Sequence, residues 1–430
     1  MLFTLFWDDT GWIDDIYVTG DERQAMKFLQ DYPREVKVFL IASLVNATGS
    51  ALMWPLVTMY VFEELGRSMQ EAGLIIAIQS LGGIAGQLLG GSLYHKLGVK
   101  RLIVGALAMN ALALFALPAA STNWYLFMAA MGLVGLFNSM AQPAIQAFVG
   151  FRFAERRGEL FNIIYVANNI GVALGTILSG FLAEISYMLS FVMNGLTSAI
   201  FAVFFLVYLR KISSTPVQEN LPRRSQHREQ SGWKLAGNTR LYLYMSLGTM
   251  FLLIGNSVWN TGVSPFIISE GWSKSLYSFL WTLNGILIFA AQPVVSLIKR
   301  WFAGTSNAQM TASAVFYLSG YAVILLMPSY PGLVLAMILA TLGEMLISPA
   351  TPAFIADTAG RNAPFYMGLS GGIGAAGRVI GPALMGGLFD QGGLAPTGWL
   401  ACAMAVLAVG FFVIHAYVNR SARHLEQNAV

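Results

Sequence analysis

Charge is scarce in this chain: Asp, Glu, Lys and Arg make up 11% of its 430 residues, where an average soluble chain carries about a quarter. So few charges cannot cover a water-facing surface of this size, which excludes an ordinary soluble fold. Cysteine is almost missing. The single Cys402 sits in an apolar stretch, so intramolecular disulfides and cysteine-based zinc centres are excluded. Four scattered histidines form no metal-ligand cluster, and neither a metal nor a cofactor is expected. No glycine run ends in the Gly-Lys-Ser/Thr of a phosphate-binding loop, which argues against ATP-driven work by this chain alone. The net charge of +4 lies in short loops, with no basic groove and no interleaved aromatics, so nucleic acid is not an expected partner. The N-terminus places Asp8, Asp9, Asp14, Asp15, Asp21 and Glu22 ahead of any long apolar run, unlike the basic-then-apolar start of a secretory signal.

What abounds is apolar. Hydrophobic residues reach 56% and aromatics 13%, with a mean hydropathy of +0.62. Surface that faces lipid needs no charge, because the solvent there is itself apolar. The chain therefore reads as an integral membrane protein. A helix crossing the hydrocarbon core needs about 20 mostly apolar residues. Breaks at charged and turn-rich stretches predict twelve spans, near 37–62, 71–94, 102–119, 124–149, 160–183, 187–209, 241–268, 275–298, 307–327, 332–356, 364–389 and 397–419. These runs lack the two-residue alternation of β-barrel strands. The expected class is all-α.

Lysine and arginine orient the spans, since they concentrate in cytoplasmic loops. With a cytoplasmic N-terminus, 22 of the 25 basic residues fall on the cytoplasmic side; Arg67 and Lys274 lie outside and Arg378 lies within a span. Both termini are thus expected on the cytoplasmic side of a cell membrane. The segment 210–240 is the one long polar stretch between spans, and it divides the chain into six helices plus six. The expected parts are a tail (1–35), a first bundle (36–209), the linker (210–240), a second bundle (241–419) and a short tail (420–430). The linker is a solvated connector first, and a polybasic lipid contact second. The acidic, aromatic tail reads equally as an amphipathic surface helix, a cover for the cytoplasmic mouth, or a frayed end.

The two bundles repeat one another. Pro143, Ala144, Ala147 and Phe148 correspond to Pro349, Ala350, Ala353 and Phe354 at an offset of 206, as do Gly171, Gly175 and Gly180 to Gly377, Gly381 and Gly386. Spans 1 and 7 match at an offset of 210, through Asn46 with Asn256 and Pro55 with Pro265. Two parallel six-helix repeats imply a pseudo-twofold axis along the membrane normal and a central path between halves.

Between spans 2 and 3 the chain reads Gly91-Ser92-Leu93-Tyr94-His95-Lys96-Leu97-Gly98-Val99-Lys100-Arg101. Span 11 carries Gly377-Arg378-Val379-Ile380-Gly381-Pro382 and Gly386-Gly387, while span 5 keeps Gly171 and Gly175 without the proline. With these motifs the chain resembles the major facilitator superfamily, most of all bacterial twelve-helix drug:proton antiporters, from about residue 36 onward. The resemblance implies alternating access, with Gly91, His95, Lys96, Gly98, Lys100, Arg101, Gly175, Gly377, Gly381 and Pro382 as gating positions. It also implies that spans 1, 4, 7 and 10 line the cavity. His95 stands where the family has an aspartate that latches the halves, which weakens the expected latch. Span 4 lacks the arginine of another family signature, so the coupling chemistry of that arginine is not carried over. Glycines four apart also serve plain close packing of helices.

Two charges fall at mid-depth, Glu344 in span 10 and Arg378 in span 11. Each costs roughly 2.5–3.5 kcal/mol in lipid, so each is expected to face a partner or a water-filled cavity. Glu344 is a candidate proton carrier, because a carboxyl group that alternates between dry and wet settings binds and releases a proton. The competing reading is a static Glu344–Arg378 ion pair. Asn46, Trp54, Asn138, Gln142, Asn256, Trp259 and Asn260 are candidates for the substrate cavity, with Asn138 the repeat-equivalent of Glu344. One acid among amides and aromatics suits bulky amphipathic compounds, cations included. Singly, each amide is as well explained by an interhelical hydrogen bond. The expected function is secondary transport by a monomer, exporting such compounds in exchange for protons, and not enzymatic catalysis. A lipid or specific-metabolite carrier, or a non-transporting membrane sensor, are the alternatives.

Overall fold

The computed structural model describes residues 34–53, 56–57, 60–67, 69–212 and 236–427. The expected N-terminal tail, most of the linker and the last three residues lie outside them. The chain forms two compact units, Met1–Ala42 and Ser43–Val430. Of the first unit only the helical residues 34–42 are described; the second holds all that follows.

The described elements are helical throughout. They run α1 (Arg34–Ala51), a π-helical turn (Tyr60–Glu64), α2 (Met69–Leu97), α3 (Val99–Ala120), α4 (Trp124–Arg152), α5 (Arg157–Ile185) and α6 (Tyr187–Ile212). The second set is α7 (Ala236–Asn256), a π-helical turn (Trp259–Val263), α8 (Ser264–Ser269), α9 (Lys274–Ala290), α10 (Gln292–Trp301), α11 (Ser306–Leu326), α12 (Tyr330–Thr358), α13 (Ala363–Gly392) and α14 (Leu394–Gln427). Among the described residues ten helices are long and apolar enough to cross a membrane, or eleven when the pair around Ala291, bent by 61°, counts as one. The shorter apolar helix Val36–Ala51 stands where the first span was expected.

Local chemistry sets the ends. The Asn123 side chain accepts from the backbone N–H groups of Tyr125 (3.0 Å) and Leu126 (3.3 Å), capping α4. Thr305 does the same for α11 through Ala308. Proline opens α10, α12 and α13, where its missing N–H costs nothing. Gly98 takes a φ of 75° to turn α2 into α3, a conformation other residues avoid. Large apolar side chains such as Phe289, Leu326 and Trp399 stand outward, 65–80% exposed, as a lipid-facing surface requires.

The repeat is closer than the sequence indicated. α4 and α12 are both 29 residues long and begin 206 residues apart. The single turns after them, Ala154–Arg156 and Gly360–Asn362, keep that spacing, as do the starts of α5 and α13. The contacts correct the offset of 210 for spans 1 and 7. Gly171 and Gly175 of α5 pack on Leu44 and Thr48 of α1, and Gly377 and Gly381 of α13 pack on Met250 and Ile254 of α7. These partners are again 206 apart. The Asn46–Asn256 and Pro55–Pro265 matches are therefore not structural equivalents; asparagine and proline recur there by coincidence of composition.

The span expected at 102–119 extends to Val99–Ala120, and α14 runs as helix to Gln427. Span 8 is broken at Ala291, with Pro293 at the start of α10, so its halves point in different directions.

Candidate functional site

Glu344 is the midpoint of α12, fourteen residues from Tyr330 and fourteen from Thr358, so about 21 Å of helix lies on either side. It is half-buried. Asn284 of α9 donates from Nδ2 to Glu344 Oε2 at 3.2 Å and to Thr341 Oγ1 at 3.0 Å. From the first half, Tyr165 of α5 faces Glu344 and Ser348, while Tyr317 of α11 lies within electrostatic range of the carboxylate. The Tyr165 hydroxyl is buried without a hydrogen-bond partner. One turn away, Asn162 Nδ2 donates to Gln292 Oε1 at 3.1 Å, joining α5 to α10. An apolar collar of Ile288, Ala291, Val295, Met345 and Leu346 closes round this polar group, with Tyr165 and Val166 packed on it.

Arg378 lies at the middle of α13 and is exposed. It stands within electrostatic range of Glu344, yet the two form no ion pair; Glu344 takes its hydrogen bond from Asn284 instead. A static pair is therefore not what fixes these helices. Arg378 follows Gly377, whose face is pressed on Met250 and Leu253 of α7, so its side chain leaves the helix on a different side.

The cavity candidates divide. Asn46, Asn138, Gln142 and Asn256 are half-buried, and Asn260 is exposed, accepting from the Tyr277 hydroxyl at 2.7 Å. Trp259 is 1% exposed and among the largest buried side chains. It belongs to the packed core of the second half, at the start of the π-helical turn Trp259–Val263. Trp54 lies outside the described residues.

Of the gating positions, Gly91, His95, Lys96, Gly98, Lys100 and Arg101 collect on one face, where α2 meets α3, α4 meets α5 and α12 meets α13, whereas Gly175, Gly377, Gly381 and Pro382 lie about 21–29 Å along α5 and α13 from it. This face carries Lys96, Lys100, Arg101, Arg156, Arg157 and Arg361, and is called the basic face below. Here the two halves meet. A Cβ on Gly91 of α2 would press into the Pro364 carbonyl and lie 3.1 Å from the Cα atoms of Phe365 and Gly368 of α13. His95 donates from Nε2 to the Arg361 carbonyl. A histidine thus still reaches across, because it donates to a carbonyl where an aspartate could only accept. Arg157 Nη1 pairs with Asp357 Oδ1 at 2.9 Å. Lys96 and Arg101 are exposed and Lys100 half-buried. Pro382 follows Gly381, which packs on Ile254 and Ser257, whereas Gly386 and Gly387 touch nothing and are not packing positions.

Sequence reasoning missed Tyr165, Asn162, Asn284, Gln292 and the Arg157–Asp357 pair. A signal existed: Asn162, Tyr165 and Asn169 recur at helical spacing along an otherwise apolar span, one polar stripe on one face.

Two parallel six-helix repeats, meeting at glycine crossings on one face and around a carboxylate at mid-depth, define a two-repeat membrane transporter. The chain belongs to the Major Facilitator Superfamily, whose model matches residues 39–316. It is 30% identical over 398 residues to the uncharacterized MFS-type transporter YttB of Bacillus subtilis (strain 168), covering 92% of this chain and 99% of that protein. It is 23% identical over 383 residues to the quinolone resistance protein NorA of Staphylococcus aureus (strain MSSA476), covering 88% and 95%. Among solved structures it is similar to the major facilitator transporter FucP in the outward conformation, with a TM-score of 0.67 at 16% identity, over 89% of this chain and 99% of that one. The last likeness concerns the fold. Such proteins move solutes and are not enzymes.

Proposed function

We propose that this chain is a secondary active transporter that exports bulky amphipathic compounds in exchange for protons, alternating access between the two sides of a cell membrane. The observation that carries the reading is Glu344, an acid at the midpoint of a span otherwise free of charge between Tyr330 and Thr358 except at Asp357. Its hydrogen-bond donor is a neutral amide, and the Tyr165 hydroxyl of the first half faces it. Among the described residues no cation neutralises it within ion-pair distance, so protonation is the means of removing its charge. Asn138 occupies the same place in the first half, which confines the acid chemistry to one side of the central path. Half-buried Asn46, Asn138, Gln142 and Asn256 offer amides beside it, and the similarity to a quinolone resistance protein supports a bulky aromatic cargo. The charge distribution supports a basic face on the cytoplasmic side with both termini there, and each repeat pair closes within one chain, which supports a monomer.

The test is transport in proteoliposomes with an imposed pH gradient and ethidium as the cationic probe. The wild type is expected to move the dye only with the gradient present, and Glu344→Gln to lose that dependence. Gradient-driven transport at wild-type rates in Glu344→Gln would overturn the proton-carrier role. Movement of labelled lipid between leaflets with no dye transport would identify a lipid carrier, and binding without turnover a sensor.

A further inference from the structure

The two places where the halves meet are related by the repeat but built from opposite materials. Where α2 crosses α13, the contact is close and glycine-lined: Gly91 lies against Gly368, and Gly371 against Gln87. The repeat-equivalents of Gly368 and Gly371, 206 residues earlier, are Asn162 and Tyr165. At that second meeting place, where α5 runs beside α10 and α12, the contact is polar.

Three buried polar atoms there have no protein partner: Asn162 Oδ1, Tyr165 Oη and Thr351 Oγ1. Native interiors leave few such atoms, and a cluster of them in one seam marks a place that takes up water. Thr351 lies two turns beyond Glu344 on the same face of α12, with Ser348 between them. Counted from the basic face, Asn162 is about 8 Å along its helix, Thr351 about 10 Å, Tyr165 about 12 Å, Ser348 about 15 Å and Glu344 about 21 Å. Polar groups therefore recur every few ångströms from the carboxylate toward the basic face. The Asn162–Gln292 bond crosses the seam near its outer end, at the point where span 8 is broken.

We propose that this seam is the gated proton route of the transporter, with the Tyr165 hydroxyl as its relay and the Asn162–Gln292 bond as its plug. This deepens, and rests on, the reading of Glu344 as proton carrier. In the state described here the plug is closed, so Glu344 does not communicate with the basic face. When α5 moves away from α10 the bond breaks and water enters between the orphan groups. The Glu344 O–H bond then breaks and its proton passes to the Tyr165 oxygen, which releases its own proton to water, and a hydronium ion leaves at the basic face. The carboxylate is left behind and tyrosine ends neutral, so charge and atoms balance. Glycine at the equivalent positions leaves the other meeting place without such a relay.

The experiment measures proton flux into proteoliposomes containing pyranine, driven by a potassium diffusion potential, together with ethidium transport. Gln292→Ala removes the plug and is expected to raise the resting proton leak by about threefold or more. Adding Glu344→Gln to it is expected to return the leak to wild type, because the route passes through that carboxyl. Tyr165→Phe keeps the ring and removes the relay, so coupled proton flux is expected to fall about tenfold or more, with ethidium affinity retained. Thr351→Val, a smaller change, is expected to fall in the same direction. Wild-type leak in Gln292→Ala, or wild-type coupled flux in Tyr165→Phe, overturns the route. A leak that persists in the double variant overturns the passage through Glu344. If Glu344→Gln alone keeps gradient-driven transport, the carrier reading fails instead, and the leak of Gln292→Ala then separates the two.

Discussion

Replacing Gly91 by alanine tests whether the α2–α13 crossing is what closes the basic face. The added Cβ would lie 3.1 Å from the Cα atoms of Phe365 and Gly368 and nearer still to the Pro364 carbonyl oxygen. All three are backbone atoms, so no side chain can swing aside, and the helices must separate by several tenths of an ångström or more. Overpacking of this kind costs about 1–3 kcal/mol. The cost falls only on the state in which the two helices touch, so the closed basic face loses about 5- to 150-fold in population relative to the open one. Spin labels at Lys96→Cys and Asn362→Cys, in a Cys402→Ser background, report the distance between halves by pulsed electron resonance. Gly91→Ala should move the distribution toward long distances. Gly73→Ala is the control: it sits on the same helix, gains the same helix propensity, and its Cβ would meet nothing within 4 Å. A Gly91→Ala distribution matching the control would refute the argument, because the contact would then be absent from the closed state.

The Arg157–Asp357 pair, with side chains 8% and 53% exposed, should contribute modestly, since water shares the carboxylate. Asp357→Ala is expected to shift the same distance distribution by up to about fivefold in population, an effect that shrinks in high salt; a shift independent of salt would contradict the ionic account. Asn123→Ala removes the cap of α4 at a helix end away from the basic face. It should lower stability by about 1 kcal/mol, seen as a reduced melting temperature in detergent, while leaving the distance between halves unchanged.

Much of the architecture was legible in composition and spacing. The scarcity of charge marked the chain for lipid, charged and turn-rich stretches cut it into spans, and the repeated Pro143 and Pro349 segments exposed the duplication. These features are local: a cap, a turn or an apolar run acts on its own neighbourhood and can be read without knowing the fold. Glu344 was legible too, because a charge in an apolar run stands out in one dimension. Its partners were not. Asn284 lies 60 residues from Glu344 along the chain, and the Tyr165 side chain reaches it from the other half.

Tertiary structure decided the register of the first and seventh spans, where the sequence favoured matching asparagines and prolines and the glycine contacts set an offset of 206. It also placed Trp259 in the core, and kept Arg378 from pairing with Glu344. The sequence alone determined that this is a twelve-span, two-repeat membrane protein with an acid at mid-depth, because burial in lipid and helix formation depend on runs of neighbouring residues. Which groups face that acid, and which meeting of the halves is lined by glycine and which by asparagine and tyrosine, depends on how distant helices pack, and packing is a property of pairs of surfaces that no single stretch of sequence contains.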